Sequence, residues 1–501
     1  MIRILGAPKR LCDGLTRRDL LHAGALSLFG LGLSDWAGLR NAQAATSTAA
    51  SFGRAKACIL LYLYGAPSQL ETFDPKPKAP VEIRGELGTI PSVVPGLDLG
   101  EGLPKLAKVV DRVTVVRSVT HPYPIHGVAF ATTGSPRIDL AMELNPRDAR
   151  HWPFIGSVVD YVDGQRAGVG RRPEVPRNLV LPWAFSSHRV GEVARAGPYG
   201  GFLGPKYDPV SCEFDGQGTV KARKTLNELA WEDVEPYRGI TPESRFRLGT
   251  VSQLGPELTL DRLDRRRSLL EQLERARPDL EAAVERSGSG IDRNRAMAYS
   301  LLGSEKLRLA FDLDREPMAT RELYGMTLFG QATLTARRLV EAGGRFVTVF
   351  WDEYGLAGTG WDTHWDHYPR MKDELLPGLD QTLSGLLIDL DARGLLDETL
   401  VLVLSEHGRT PKITSGRGGG RDHWSRCYSI LMAGGGVARG RVIGRSDAIA
   451  SDPLDRPVSP KDLLATTYHL LGIDPQTTLT DRQGRPLTLV PDGQVLTDAL
   501  A

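Results

Sequence analysis

Four short, unbroken runs of apolar residues constrain the fold of this 501-residue chain more than any other feature of its sequence. They cover residues 57–64, 113–116, 345–351 and 399–404, and the first ends at Gly65-Ala66-Pro67. Apolar runs of this length, bounded by turn residues, are typical of strands buried on both faces. Helical patterns precede the later runs, over 102–110, 321–342 and 375–393. This alternation predicts an α/β fold with α/β/α layers and a mostly parallel central sheet.

Polar residues of the kind that bind metals follow these predicted strands in four clusters. The clusters are 65–77, 121–126 running on to 134, 361–367, and 404–411 with 420–424 shortly after it. Ligands of an open parallel sheet bind beyond the carboxyl ends of its strands, where the connecting loops meet. We therefore expect the clusters to share one crevice.

The last three clusters contain most of the histidines of the chain: His121, His126, His364, His367, His407 and His423. Imidazoles and carboxylates gathered in this way suit a divalent cation such as zinc or manganese, which polarises an ester oxygen and activates a nucleophile. Structural histidines and aspartates that only form hydrogen bonds are the alternative interpretation.

The amino terminus resembles a twin-arginine signal peptide over residues 1–44. Arg17-Arg18 precede an uncharged stretch, Ala23 to Leu33, and the small residues at 41–45 suit cleavage after Ala44. We expect export by the twin-arginine (Tat) machinery to the periplasm or another extracytoplasmic location. A cytosolic protein with an irregular start is the alternative. The apolar stretch is too short to span a bilayer, and we expect no stable membrane span after cleavage.

Charge and cysteine content exclude two classes of protein. Residues 1–44 contain six of the 62 basic and three of the 61 acidic side chains, so the remaining chain has a formal charge of −2. This balance argues against a nucleic-acid partner, which requires a clustered basic excess. Of the four cysteines, the chain after residue 44 keeps Cys58, Cys212 and Cys427, an odd number that cannot all pair within one molecule, which excludes a scaffold held by disulfides and requires a large core.

Residues 45–501 are predicted to form one domain with a helical insertion at about 256–316. The insertion is rich in charged residues, and its leucines at 260, 263, 270 and 273 have helical spacing, so we expect them to pack onto the core. A partner-binding coiled coil is the alternative, although Pro278 interrupts its few heptads. Residues 164–215, rich in Gly, Pro and Arg, are predicted to be long surface loops.

Five stretches of sequence resemble an exported family known as domain of unknown function 1501. They are residues 65–77, 201–204 with 207–209, 360–364, 406–411 and 420–424, and they follow the family's order from about residue 55 to 495. That family in turn resembles the alkaline phosphatase and sulfatase superfamily, whose members act on phosphate and sulfate esters with one or two metal ions. The resemblance implies an alkaline-phosphatase-like fold.

The resemblance also implies a set of metal ligands. Ser405-Glu406-His407-Gly408 is similar to the superfamily's Ser-Asp-His-Gly motif, with Glu in place of Asp. Asp362 and His364 resemble the pair that holds the other metal, and His423 resembles the late histidine of that site. The predicted ligands of the metal, which is expected to be zinc, manganese or calcium, are therefore Asp362, His364, Glu406, His407 and His423.

The chain departs from the superfamily where the nucleophile is expected. No Cys or Ser with the sulfatase Pro-x-Arg signature precedes residues 133–137, and Tyr64-Gly65 follow the first strand, where the superfamily has a metal-binding Asp. His126, Thr132 and Ser68 are the remaining nucleophile candidates, and we assign His126 as nucleophile or acid–base group. Arg409 beside the metal motif can clamp a tetrahedral anion with two hydrogen bonds, or it can pair with a nearby carboxylate.

Two functions follow from these residues. The first is an exported metal-dependent hydrolase of sulfate or phosphate esters, whose substrate is a small molecule or a polysaccharide. The second is a catalytically degraded relative that binds an anionic ligand, a polysaccharide or a protein partner. Bound metal that depends on His407 and His423 distinguishes the first from the second.

Overall fold

The computed structural model describes most of the chain from residue 50 onward. The described residues are 50–123, 128–135, 138–146, 148, 150–168, 173–185, 195–216, 218–226, 230–249, 304–352 and 360–501. The predicted signal peptide at 1–44 and most of the predicted insertion at 256–316 lie outside them. Within the described residues, every helix is too short or too polar to cross a membrane.

A nine-stranded sheet forms the centre of the protein. Its strands are β1 (Ala57–Leu63), β2 (Val113–Val119), β3 (Asn178–Leu181), β4 (Val210–Asp215), β5 (Arg245–Leu248), β6 (Phe346–Trp351), β7 (Thr399–Leu404), β8 (Tyr428–Ala433) and β9 (Arg441–Ile443). They lie in the order β9-β2-β8-β7-β1-β6-β3-β4-β5. Only β5 and β8 run against the other seven strands. The predicted α/β fold with a mostly parallel central sheet is therefore confirmed.

Ten α-helices are described. They are α1 (Val81–Arg84), α2 (Val128–Thr133), α3 (Leu140–Glu143), α4 (Ile155–Ala167), α5 (Glu305–Phe311), α6 (Met318–Tyr324), α7 (Leu328–Glu341), α8 (His367–Arg370), α9 (Leu376–Ala392) and α10 (Pro460–Leu470). A π-helical turn, Met371–Leu375, joins α8 to α9. Pro377 has no N–H to donate to the preceding turn, which explains why the helix widens there.

Short segments complete the structure. The 3₁₀ turns are Leu106–Lys108, Val110–Arg112, Gly201–Leu203, Pro205–Tyr207, Leu313–Arg315 and Thr497–Ala499. The two-stranded ladders pair Thr89–Pro91 with Asp98–Gly100, Gly218–Leu226 with Ala230–Ile240, Gly408–Arg409 with His423–Trp424, Arg445–Ser446 with Pro453–Asp455, and Thr478–Thr480 with Pro486–Thr488.

The central strands are buried on both faces because helices cover each side of the sheet. Along β1, Ile59, Leu61 and Leu63 pack into one core with α7 and α9. Cys58, Leu60 and Tyr62 point the other way, into a second core with α4 and α10. Burying one such side chain contributes about 1.5–3 kcal/mol, so a strand whose residues are all apolar is stabilised when both of its faces are covered.

The four strands predicted from apolar runs are present as β1, β2, β6 and β7, whereas the buried strand β8 was not predicted and the prediction for residues 164–215 was wrong. That segment contains β3 and β4, which belong to the main sheet, in addition to loops. These strands are only four and six residues long, so the surrounding Gly, Pro and Arg dominated the pattern. The helix predicted over 321–342 is two helices, α6 and α7, because Gly325 adopts a φ of 90° between them.

Candidate metal centre

The candidate site lies beyond the carboxyl ends of β1, β6 and β7, where the strand-end loops meet. The loop after β1, residues 64–74, is called the first loop below. Trp361 N–H donates to the carbonyl of Tyr64 at 3.0 Å, which attaches the segment 360–367 to the first loop. Gly65 has a φ of 94°, and a Cβ atom there would lie 2.2 Å from the backbone nitrogen of Asp362. Only glycine allows the two backbones to approach this closely.

A short antiparallel ladder brings the fourth cluster to the same place. Gly408–Arg409 pairs with His423–Trp424, so His423 lies opposite Arg409. Arg421 N–H donates to the carbonyl of Thr363 at 3.1 Å, which joins this ladder to the segment 360–367. The segment 360–367 and the fourth cluster, about sixty positions apart in sequence, therefore become neighbours.

Three of the predicted ligands converge in what we call the donor cluster: Asp362, His364 and His423. The Nε2 atoms of the two histidines are 3.0 Å apart. Asp362 Oδ1 lies 3.1 Å from Nε2 of His364 and 3.3 Å from Nε2 of His423. All three side chains are partly buried, so the cluster is open to solvent on one side.

Asp422 fixes the protonation of one imidazole in this cluster. Nδ1–H of His364 donates to Asp422 Oδ1 at 2.7 Å. With the proton on Nδ1, Nε2 can give its lone pair to a cation at the centre of the cluster, whereas in the metal-free protein a proton on Nε2 can be donated to Asp362 Oδ1, 3.1 Å away. Burial lowers the pKa of His364, but hydrogen bonding to Asp362 and the Asp362 charge outweigh this effect and raise that pKa above 6.5.

The donor cluster fits a divalent transition metal. A tetrahedral zinc ion at about 2.0–2.1 Å from its ligands requires neighbouring ligand atoms to be about 3.3 Å apart. The three observed separations, 3.0, 3.1 and 3.3 Å, are close to that spacing. Two imidazole nitrogens and one carboxylate oxygen suit zinc or manganese, whereas calcium prefers oxygen ligands.

Arg409 is fully buried and contacts the donor cluster directly. Its Nη2 lies 2.5 Å from Oδ1 of Asp362. The rest of the guanidinium is bound to backbone carbonyls, with Nε donating to Ala66 at 3.0 Å and Nη1 to Arg421 at 3.1 Å. Of the two roles considered for Arg409, the carboxylate pair is the one present in this structure.

His407 and Glu406, the other predicted ligands, are not part of the donor cluster, and His407 packs beside His423. The ring centroid of His407 is 4.5 Å from that of His423, and its Nδ1–H donates to the carbonyl of Gly408 at 2.8 Å. Glu406 is completely buried and accepts a hydrogen bond from Gly65 N–H at 2.8 Å. Burial and the nearby Glu406 charge both raise the pKa of Tyr62 and of Tyr428.

The first loop supports the site through the amide side chain of Gln69, which binds the backbone of Arg409. Gln69 Oε1 accepts from Arg409 N–H at 3.0 Å, and its Nε2 donates to the carbonyl of Arg409 at 2.9 Å. Within the described residues, the group able to hold a metal contains no member of this loop. The structure shows this loop supporting the site through its contacts to the backbone of Arg409.

Of the three nucleophile candidates, the structure describes Thr132 and Ser68. His126 lies outside the described residues. Thr132 is buried in α2, and its hydroxyl donates to the carbonyl of Val128 at 2.6 Å. Ser68 is also buried, with 1% of its surface exposed.

Sequence reasoning missed Asp422, which orients His364, and Gln69, which binds the backbone of Arg409. The signal for Asp422 was its position next to His423 in a recognised motif. Gln69 gave no comparable signal, because an amide that pairs with a distant backbone has no characteristic spacing.

The fold and the candidate site together place this chain in the class of layered α/β proteins with a His–Asp cluster at the carboxyl edge of a mostly parallel sheet. Within that class, the chain belongs to the family described as "Protein of unknown function (DUF1501)", which it matches over residues 55–500. The family resemblance drawn from the sequence motifs is therefore confirmed.

Comparison with solved structures finds matches at low sequence identity. Ps i-CgsB is 11% identical, with a TM-score of 0.39, and the match covers 88% of this chain and 76% of that one. The PsFucS1 sulfatase from Pseudoalteromonas sp. is 10% identical, with a TM-score of 0.36 and coverage of 86% and 72%. The phosphonate monoester hydrolase SpPMH from Silicibacter pomeroyi is 11% identical, with a TM-score of 0.30 and coverage of 88% and 76%. No curated protein matches this chain in sequence.

Proposed function

We propose that this protein is an exported, metal-dependent hydrolase of sulfate or phosphate esters. One observation carries the proposal: two imidazole nitrogens and a carboxylate oxygen lie 3.0–3.3 Å from one another at the carboxyl edge of the sheet. Loops from distant parts of the chain form this arrangement, and its spacing matches that of ligands around one small cation. The substrate is an ester of a small molecule or a polysaccharide.

Each residue of the site has a defined role in this proposal. Asp362, His364 and His423 hold zinc or manganese, and Asp422 keeps the lone pair of His364 directed at the metal. When bound, the cation polarises the ester and lowers the pKa of a nucleophile. His407 forms the inner wall beside His423. His126 is the proposed nucleophile or acid–base group.

Metal analysis of the purified protein tests this proposal. We expect about one equivalent of zinc or manganese in the wild type, and its loss in the double variants His364→Ala/His423→Ala and His407→Ala/His423→Ala. His469→Gln is the control, because His469 is buried against Ser51, which precedes the amino end of β1, whereas the donor cluster lies beyond the carboxyl end of that strand. We expect this variant to keep the donor cluster. Wild-type protein without metal after incubation with either cation contradicts the proposal.

The contact of Arg409 favours a second candidate function, binding of an anionic ligand without catalysis. Its guanidinium donates to Asp362 Oδ1, the oxygen expected to face the metal, and a cation beside it is repelled. In that case the partner is a polysaccharide, another anionic ligand or a protein. Metal-free protein that binds such a ligand, measured by calorimetry, supports the second function.

We also propose that the twin-arginine machinery exports the protein to the periplasm. Arg17 and Arg18 are the residues on which this route depends. We expect the double variant Arg17→Lys/Arg18→Lys to remain in the cytoplasm, as measured by fractionation. Unchanged export of this variant contradicts the proposed route.

A further inference from the structure

We infer that Glu71 is a positioning residue that sets the distance between the two ligand-bearing loops. The inference rests on the proposed function and concerns three side chains buried behind the donor cluster, which we call the Glu71 cluster: Glu71, Arg421 and His367. Each of them has 1% or less of its surface exposed. The cluster links the first loop to both segments that carry the candidate ligands.

Arg421 connects Glu71 to the segment that carries His423. Its Nη2 lies 2.6 Å and its Nε 3.2 Å from Oε1 of Glu71. Its remaining side-chain donors bind backbone carbonyls, including those of Ile83 at 2.8 Å and Thr410 at 3.0 Å. Asp422 and His423 follow Arg421 directly in sequence, so fixing this guanidinium fixes the backbone from which both project.

His367 connects the same carboxylate to the segment that carries Asp362 and His364. Its Nε2 lies 3.3 Å from Oε2 of Glu71. Its Nδ1 lies 2.8 Å from Oγ1 of Thr363, which is the residue between those two ligands. The Nε2–Oε2 contact does not have the geometry of a hydrogen bond, so it links the two groups electrostatically, whereas the contact between Nδ1 and Oγ1 of Thr363 is a hydrogen bond.

The two connections meet at one carboxylate, so Glu71 holds the two loops at a fixed separation. Arg421 and His367 depend on its charge, since a buried guanidinium that loses its carboxylate must move or recruit water. A shift of either loop alters the 3.0 Å separation of the two Nε2 atoms. Burial raises the pKa of Glu71, but the Arg421 and His367 interactions outweigh it and lower that pKa to about 2, so the charge persists at neutral pH.

The Glu71→Gln variant tests this role, with Co²⁺ as a spectroscopic probe that occupies zinc sites. We expect Co²⁺ affinity to fall by about tenfold or more, which is usual when a residue that orients ligands is lost. We also expect the visible absorption of bound Co²⁺ to change, because the ligand geometry changes. Unaltered affinity and spectrum in a folded Glu71→Gln protein overturn the inference.

Glu316→Gln is the matched control, because Glu316 is also a buried carboxylate that pairs with arginines. Its partners, Arg337 and Arg338, lie on α7, away from the donor cluster. We expect this variant to lose stability but to bind Co²⁺ as the wild type does. An equal loss of Co²⁺ affinity in Glu316→Gln assigns the effect to general destabilisation and overturns the inference.

Thr363 provides a second test if Glu71→Gln does not fold. Thr363→Val replaces the hydroxyl that reaches His367 with a methyl group, and Thr363→Ser retains the hydroxyl. We expect weaker Co²⁺ binding in the valine variant and recovery in the serine variant. Equal binding by the two variants overturns the inference.

Experiments on the wild type and on Glu71→Gln distinguish an error in the proposed function from an error in this inference. If the wild type binds no Co²⁺, the metal-dependent function fails, and crystals of the metal-free wild type and Glu71→Gln proteins decide the positioning role. A wider separation of the Nε2 atoms of His364 and His423 in the variant supports it. An unchanged separation overturns it.

Discussion

Among single residues, His121 shows how burial keeps an imidazole neutral. Its Nδ1 accepts from Tyr123 N–H at 3.2 Å, so its Nε2 carries the proton and donates to the carbonyl of Glu406 at 2.7 Å. Burial lowers the pKa of His121 to about 4, although the contact with the carbonyl of Glu406 opposes the shift. The neutral imidazole thus attaches the second cluster to the strand end that carries Glu406 and His407.

The low pKa of His121 predicts a loss of stability on acidification. The pKa is about 4 in the folded protein and 6.5 in the unfolded chain, so the unfolded chain binds the proton first as the pH falls. The contribution to stability is complete above pH 6.5 and is lost between pH 6.5 and about 4. It amounts to about 3 kcal/mol for a shift of this size.

Chemical denaturation of the wild type and of His121→Gln over this pH range measures the effect. Gln retains an amide that can donate to the carbonyl of Glu406, but it does not titrate. We expect the free energy of unfolding of the variant to fall less steeply with decreasing pH. Parallel curves for the two proteins show that His121 does not contribute to the pH dependence.

The first loop is the element on which the geometry of the site depends most directly. Its backbone contacts Asp362 through Gly65, and its side chains contact Arg409 and Arg421 through Gln69 and Glu71. Parallel strands align the loop ends only approximately, so these contacts set the final positions of the candidate ligands.

Substitution of Gly65 by Ala tests this dependence. The left-handed φ of 94° costs about 1–2 kcal/mol for any residue with a Cβ atom. The added Cβ atom would also lie 2.2 Å from the nitrogen of Asp362, so the segment that carries Asp362 and His364 has to move. We expect Gly65→Ala to lower both the melting temperature and the amount of bound metal.

Gly484→Ala is the control for this prediction. Gly484 has a similar φ of 77°, but a Cβ atom there would have no neighbour within 4 Å. We expect a loss of stability of about 1–2 kcal/mol from the backbone conformation and no change in bound metal. Equal metal loss in the two variants contradicts a specific role for Gly65.

The whole molecule is expected to be more stable when metal is bound, because the donor cluster joins segments that separate on unfolding. A ligand at one hundred times its dissociation constant stabilises the folded state by about 2.7 kcal/mol. We expect zinc to raise the melting temperature of metal-free protein by a few degrees, measured by calorimetry. The rise should be absent in His364→Ala/His423→Ala and present in His469→Gln.

The sequence by itself determined the layered α/β fold, four strands of its sheet and the edge at which the candidate site lies. Central strands appear as apolar runs because helices cover both faces of the sheet, and this pattern is local. The clusters at the ends of β1, β6 and β7 had to share one edge because those strands are parallel. The short strands β3 and β4 were not predicted, since their few residues are outnumbered by loop residues on either side.

Only the tertiary structure decided which side chains meet. Asp362, His364 and His423 present their donor atoms to one point, whereas Glu406, in the same motif as His407, turns to Gly65, 341 positions away. Side-chain direction depends on packing between distant segments and on which backbone groups require a partner when buried. Local spacing does not contain that information, so motifs predicted the region of the candidate site, while long-range contacts determine which side chains meet there.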